Sequence, residues 1–111
     1  MHTYTHIHIA LDLSHNQLSS LPDDFSLLHL LNLNLSSNLF LTFPATLRLM
    51  PALISVDLSS NRLTEVHNED LTAVQNLESV DLRGNPLRPE VKALLQSMVR
   101  VKVTVEDPEE Q

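Results

Sequence analysis

No cysteine occurs anywhere in the chain. That absence removes disulfides, thiolate zinc sites and cysteine nucleophiles together, and it fits a reducing compartment best. Glycine is almost as scarce, with Gly84 the only one, so there is no Gly-rich loop to cradle a phosphate and no flexible linker. Aromatic residues make up 4% of the chain against 42% hydrophobic overall, so the core must be built from Leu, Val and Ile. No apolar run approaches the roughly 20 residues that span a bilayer. The opening Met1-His2-Thr3-Tyr4-Thr5-His6 has neither the basic region nor the apolar stretch of a secretion signal. Basic residues are few as well: 7 Lys and Arg stand against 14 Asp and Glu, a formal net charge of −7. Glu106, Asp107, Glu109 and Glu110 crowd the C-terminus, and setting those four acids aside leaves −3. Such a body is not drawn to a phosphate backbone, so neither nucleic acid nor a membrane is expected as a partner. The length, 111 residues, suits one small domain.

Leucine is plentiful, and it recurs with a period. Aligned on Asn16, Asn38, Asn61 and Asn85, the chain reads HIALDLSHNQL (8–18), LLNLNLSSNLF (30–40), LISVDLSSNRL (53–63) and LESVDLRGNPL (77–87). Each segment fits L-x-x-L-x-L-x-x-N-x-L with few departures, and successive Asn residues lie 22, 23 and 24 apart. Within L-x-L both apolar residues point to one side of a short strand, because strand side chains alternate. Leu11 with Leu13, Leu33 with Leu35, Val56 with Leu58, and Val80 with Leu82 are these pairs. Stacked copies set the strands side by side as a parallel sheet. Each Asn falls where the chain turns off its strand, where its amide can satisfy backbone groups left unpaired. Asn16, Asn38, Asn61 and Asn85 are therefore expected to form a structural ladder. One coil alone cannot bury its apolar edge, whereas a stack can.

The outer halves of the repeats differ. Leu21-Pro22-Asp23-Asp24-Phe25 and Phe43-Pro44-Ala45-Thr46-Leu47 each turn at a proline, which predicts a short helix or 3₁₀ turn. The longer stretch from Asn68 to Leu77 predicts a helix with Asn68 as N-cap and acids in its first turn. Pro89 to Gln96 predicts a helix with proline in its first turn. Val99, Val101, Val103 and Val105 alternate with Arg100, Lys102 and Thr104, a half-buried terminal strand whose charged residues blunt the outer edge. At the other end Thr5, Ile7, Ile9, Leu11 and Leu13 share a face with no polar helix before them. Two readings stand for that end, a simple edge strand or a missing natural N-terminal part, and the second is the working expectation.

These residues resemble the leucine-rich-repeat family, in particular its short, intracellular, scaffold-like members, over roughly residues 8 to 95. The resemblance implies an α/β fold: a right-handed solenoid with short parallel strands on the concave face and helix or 3₁₀ turns on the convex face. It also implies a concave face that binds proteins, and it is nearly silent on which ones. The expected division is an irregular strand extension over 1–7, four repeats over 8–87, a C-terminal helix with a capping strand over 88–105, and an acidic tail over 106–111. A monomer in the cytoplasm or nucleus is expected.

Four columns of residues would face the concave side. They are Ala10, Asn32, Ser55 and Ser79; Asp12, Asn34, Asp57 and Asp81; Ser14, Ser36, Ser59 and Arg83; and His15, Ser37, Ser60 and Gly84. The surface they form is small, polar and mildly acidic, suited to a basic or hydrogen-bond-rich protein segment of unknown identity. A plain structural reading stands beside that one: Leu-Asp-Leu-Ser is a common filling of the repeat, and no aromatic anchor is present. Other chemistry is thin. His6 and His8 share a strand face that His2 could join, but no third firm ligand follows, and a metal-binding protein is a minor alternative. His15, His29 and His67 are scattered. Ser14 and His15 are adjacent on a strand and point to opposite faces, so no serine hydrolase site is expected. Neither catalysis nor a cofactor is expected, which leaves a non-catalytic binding module or a structural fragment of a larger repeat protein.

Overall fold

The computed structural model describes residues 8–27 and 29–106. Five short strands form one parallel sheet in chain order: β1 (His8–Asp12), β2 (Leu30–Asn34), β3 (Ser55–Asp57), β4 (Ser79–Asp81) and β5 (Lys102–Thr104). Each pairs only with its neighbours in sequence, and the register follows the repeat. Leu11 lies opposite Leu33, Leu33 opposite Val56, Val56 opposite Val80 and Val80 opposite Val103. Between strands the chain returns along the other side. It does so through 3₁₀ turns at Asp23–Leu27 and Ala45–Leu49, then helices α1 (Asn68–Thr72) and α2 (Pro89–Gln96). This is the α/β solenoid that the repeat spacing predicts, with strands on one face and helix or 3₁₀ turns on the other.

The core is a single aliphatic file between those two layers. Leu33, Leu35, Val56, Leu58, Val80 and Leu82 enter it from the strands, and Leu47, Leu71, Val74 and Leu95 from the outer layer, all buried. Phe40 is the one fully buried aromatic side chain among the described residues. The first coil is less enclosed: Leu11, Leu13, Leu18 and Phe25 are only partly buried. No helix among the described residues is long and apolar enough to cross a membrane.

Three expectations from the sequence change here. First, α1 is shorter than Asn68 to Leu77, and its N-cap is His67, with Asn68 already helical. The Asp70 carboxylate accepts the His67 N–H at 3.1 Å. Past Thr72 the bonds tighten, with Val74 N–H donating to Leu71 and Leu77 N–H to Val74. Those i→i+3 steps aim Val74 and Leu77 at the core, where both are buried. Second, Val99 is not part of the terminal strand. It is 98% exposed, and the strand is confined to Lys102–Thr104. Third, Arg100 does not guard an edge. Its guanidinium donates to the carbonyls of Val74 and Gln75, at 3.0 Å each, and closes the turn after α1. Residues 1–7 lie outside the described residues, and with them the strand extension and the histidines at 2 and 6.

Candidate functional site

Alternation on the strands puts one set of side chains into the core and presents the residues on either side of it to solvent. Register then aligns those outward residues across the sheet. Ala10, Asn32, Ser55, Ser79 and Lys102 are successive partners, and so are Asp12, Asn34, Asp57, Asp81 and Thr104. Rungs sit about 4.8 Å apart. The two columns border a shallow depression of about 530 Å³ over the sheet. Lys102 and Thr104 were absent from the columns read from sequence. The fifth strand lacks the Asn that anchors the alignment, and only the valine alternation gave its phase.

The second column holds the turns as well as facing solvent. Oδ1 of Asp12 accepts the Ser14 N–H at 2.9 Å and its hydroxyl at 2.5 Å. Oδ1 of Asn34 accepts the Ser36 N–H at 3.0 Å, and Oδ1 of Asp57 accepts the Ser59 N–H at 2.9 Å and its hydroxyl at 2.6 Å. Oδ1 of Asp81 accepts the Arg83 N–H at 3.0 Å, while the Arg83 guanidinium reaches Oδ2 at 2.7 Å. Each is a local side-chain turn that satisfies the N–H two residues on, the second past the strand. The third-column residues Ser14, Ser36, Ser59 and Arg83 are thus its partners. The Ser14 hydroxyl, then its N–H, hold the Asp12 carboxyl below the usual range. Partial burial pushes the Asp81 carboxyl up, but the Arg83 hydrogen bonds and charge outweigh that and leave it lowered.

In the first column the Ser55 hydroxyl donates to Oδ1 of Asn32. Ser79 lies between Ser55 and Lys102. Among the described residues, the second carboxylate oxygen of Asp57 carries no hydrogen bond, and Lys102 makes no ion pair. The face is therefore acidic toward β1–β3 and carries its cations, Arg83 and Lys102, at the β4–β5 end.

The fourth column belongs to the backbone. His15, Ser37 and Ser60 have φ of 60°, 57° and 57°, and Gly84 has φ of 77°. This left-handed residue turns the chain from the strand to the Asn. At Gly84 an added Cβ would come within 3.0 Å of the Ser60 hydroxyl oxygen.

The asparagines lie under that turn. Asn38, Asn61 and Asn85 are the buried polar residues among those described. Each links two coils. Asn61 Nδ2 donates to Leu58 and Ser59 of its own turn and to Leu35 of the preceding coil, while its Oδ1 accepts the Phe40 N–H at 3.0 Å. Asn38 binds Leu13 and Leu18 in the same way, and Asn85 binds Leu58 and Leu63. Asn16 differs: it is exposed, and its bonds to Leu13 and Ser14 stay within its own turn. At the far end the backbone ladder changes hands. His15, Ser37 and Ser60 donate their N–H to Ser36, Ser59 and Arg83 of the next coil. Gly84 donates instead to the Glu106 carboxylate, which also lies 3.6 Å from Lys92 Nζ. Glu106, grouped with the acidic tail by sequence, stands in for the carbonyl of a following coil. No group of three or more His, Asp or Glu is placed to hold a metal ion among the described residues. The histidine cluster suggested for that role falls on side chains outside them.

Comparison with known proteins agrees with this geometry. The sequence pattern of the family described as Leucine Rich Repeat matches residues 9–28. The chain is 37% identical to Tsukushi of Xenopus tropicalis over 82 residues, which covers 70% of this chain and 23% of that protein. The solved structure of a leucine-rich-repeat protein of Leptospira interrogans superposes with a TM-score of 0.72 at 26% identity, covering 86% of this chain and 24% of that one. The chain thus spans about a quarter of the length of either relative. With the period in its sequence, the coil in its structure and these likenesses, the chain has the leucine-rich-repeat fold.

Proposed function

We propose that this chain is a non-catalytic protein-binding module that engages its partner on the strand face, between the first and second outward columns. The observation that carries this is the 530 Å³ depression, bordered by side chains that retain spare hydrogen-bonding capacity after the turns are satisfied. The free oxygen of Asp57 and the acidic β1–β3 half suit a basic or hydrogen-bond-rich segment. Asn32, Ser55 and Ser79 would supply short polar contacts, and Lys102 would meet an acidic group at the far end. No cofactor enters this reading. The absence of cysteine favours a reducing compartment, cytoplasm or nucleus.

The direct test is quantitative affinity capture from cell extract with the chain and two variants. Ser79→Arg fills the depression, and Asp57→Asn removes a charge while keeping the Oδ1 that holds Ser59, as Asn34 already does in the second coil. Specific partners should be lost with Ser79→Arg and weakened with Asp57→Asn. A partner retained equally by both variants places binding elsewhere.

A further inference from the structure

The outer layer carries a second recess, separate from the strand columns. It lies between the start of α1 and the length of α2 and holds about 350 Å³. Its floor is apolar and buried, formed by Val66, Val91 and Leu95. Its wall includes Leu94, which is 68% exposed, and Met98, which is half-buried. Val91 and Leu95 are four residues apart on one helix face and anchor α2 to the core. Leu94 projects off that face and is not needed for the anchoring. A single exposed leucine is ordinary, but one standing on the wall of an apolar recess is a contact without a partner.

The rim is acidic. Arg88 pairs with Glu65 and lies 3.8 Å from Glu90, and both acids line the recess. Asp70 adjoins through its bond to the His67 N–H. Two carboxylates thus flank one guanidinium, with the His67 ring 3.9 Å from Glu65. A second copy of this chain brings a formal net charge of −7 to the same surface and is repelled.

We propose that this recess seats an amphipathic helix of a partner protein, with an apolar side chain packed beside Leu94 and lysine or arginine residues flanking it toward Glu65 and Glu90. The eight residues of α2 give a wall about 12 Å long, room for two anchors a helical turn apart. The site is independent of the strand face.

A short labelled helical peptide of leucine and lysine, titrated with the full chain and followed by fluorescence anisotropy, tests it. Leu94→Glu should weaken binding about tenfold, the scale of one buried leucine contact. Glu90→Lys should weaken it about threefold and reduce its dependence on salt. Asp57→Asn on the strand face should change nothing. Both substituted positions on α2 are exposed, and circular dichroism of each variant verifies the fold. Undiminished binding by Leu94→Glu overturns the proposal. So does equal affinity for a leucine–glutamate peptide, or loss of binding through Asp57→Asn. Self-association blocked by Leu94→Glu, without peptide binding, overturns it in favour of a second copy.

Discussion

At the scale of single residues, identical letters in the repeat carry unequal loads. Asn61 sits under a turn with its amide spent entirely on backbone groups of two coils. Truncating it leaves the Phe40 N–H unpaired in a dry interior and takes one of two amide donors from each of the Leu35 and Leu58 carbonyls, which keep Asn38 and Asn85. The unpaired donor costs about 1–3 kcal/mol and each lost bond about 1 kcal/mol more. Asn61→Ala should therefore lose roughly 3 kcal/mol or more by urea unfolding. Asn16→Ala should lose under about 1 kcal/mol, because water replaces its bonds. Equal losses at the two positions would contradict the two-coil linkage. The spacing of the four asparagines was plain in the sequence. Their inequality was not, since it depends on which coil lies behind each turn. The double use of Asp12, Asp57 and Asp81 was hidden for a similar reason. Only the structure shows one oxygen committed to the Ser14, Ser59 or Arg83 N–H. A reversal such as Asp57→Lys therefore mixes turn stability with binding, and Asp57→Asn separates them.

Among elements, the C-terminal cap is the one whose hold depends on a titratable group. Glu106 ties the Gly84 turn to α2 through Lys92. Desolvation raises its carboxyl, but the Gly84 N–H, its own N–H and Lys92 outweigh this and hold it below the ordinary value of 4.5. A carboxyl lowered by folding stabilises the fold above its ordinary pKa and loses that contribution as pH falls through the lower folded value. The cap should thus weaken only below about pH 4.5. Glu106→Gln should flatten the acid limb of the stability curve while Lys92→Ala lowers stability near neutrality, both read by thermal melts from pH 2 to 7. An unchanged acid limb in Glu106→Gln would remove this residue from the cap. Element types along the chain were legible from period and proline placement, as for α2 at Pro89 and the two 3₁₀ turns at Pro22 and Pro44. Their limits were not. Val99 continues the valine alternation in sequence, yet Arg100 must reach the Val74 and Gln75 carbonyls, and the bend that allows this turns Val99 out to solvent.

For the molecule as a whole, the stack behaves as a series of interfaces between neighbours rather than one compact core. That architecture was readable because a strict period leaves few other ways to bury so many leucines without aromatics. The partner was not readable, because the outward residues satisfy the repeat first and a ligand second. Stability in such a stack is a sum of coil and interface contributions, so it should be graded along the axis. The middle coils have buried leucines on both sides, Leu35 and Leu58 among them, whereas Leu11, Leu13 and Leu18 of the first coil are only partly covered. Their backbone bonds are alike in length: Leu13 N–H reaches Asn34 at 2.8 Å, Leu35 N–H reaches Asp57 at 2.8 Å, and Leu58 N–H reaches Asp81 at 2.9 Å. Hydrogen-bond geometry therefore does not distinguish the coils, and only packing does. Native-state hydrogen exchange should find the Leu13 and His15 amides opening by a local route well below the global free energy, with Leu35 and Leu58 exchanging only on global unfolding. A binding partner on the strand face would bridge β1 to β4 and raise protection of the Leu13 amide toward that of Leu35. Uniform protection across all coils in the free chain would mean a single cooperative unit, and the nearest-neighbour account would fail.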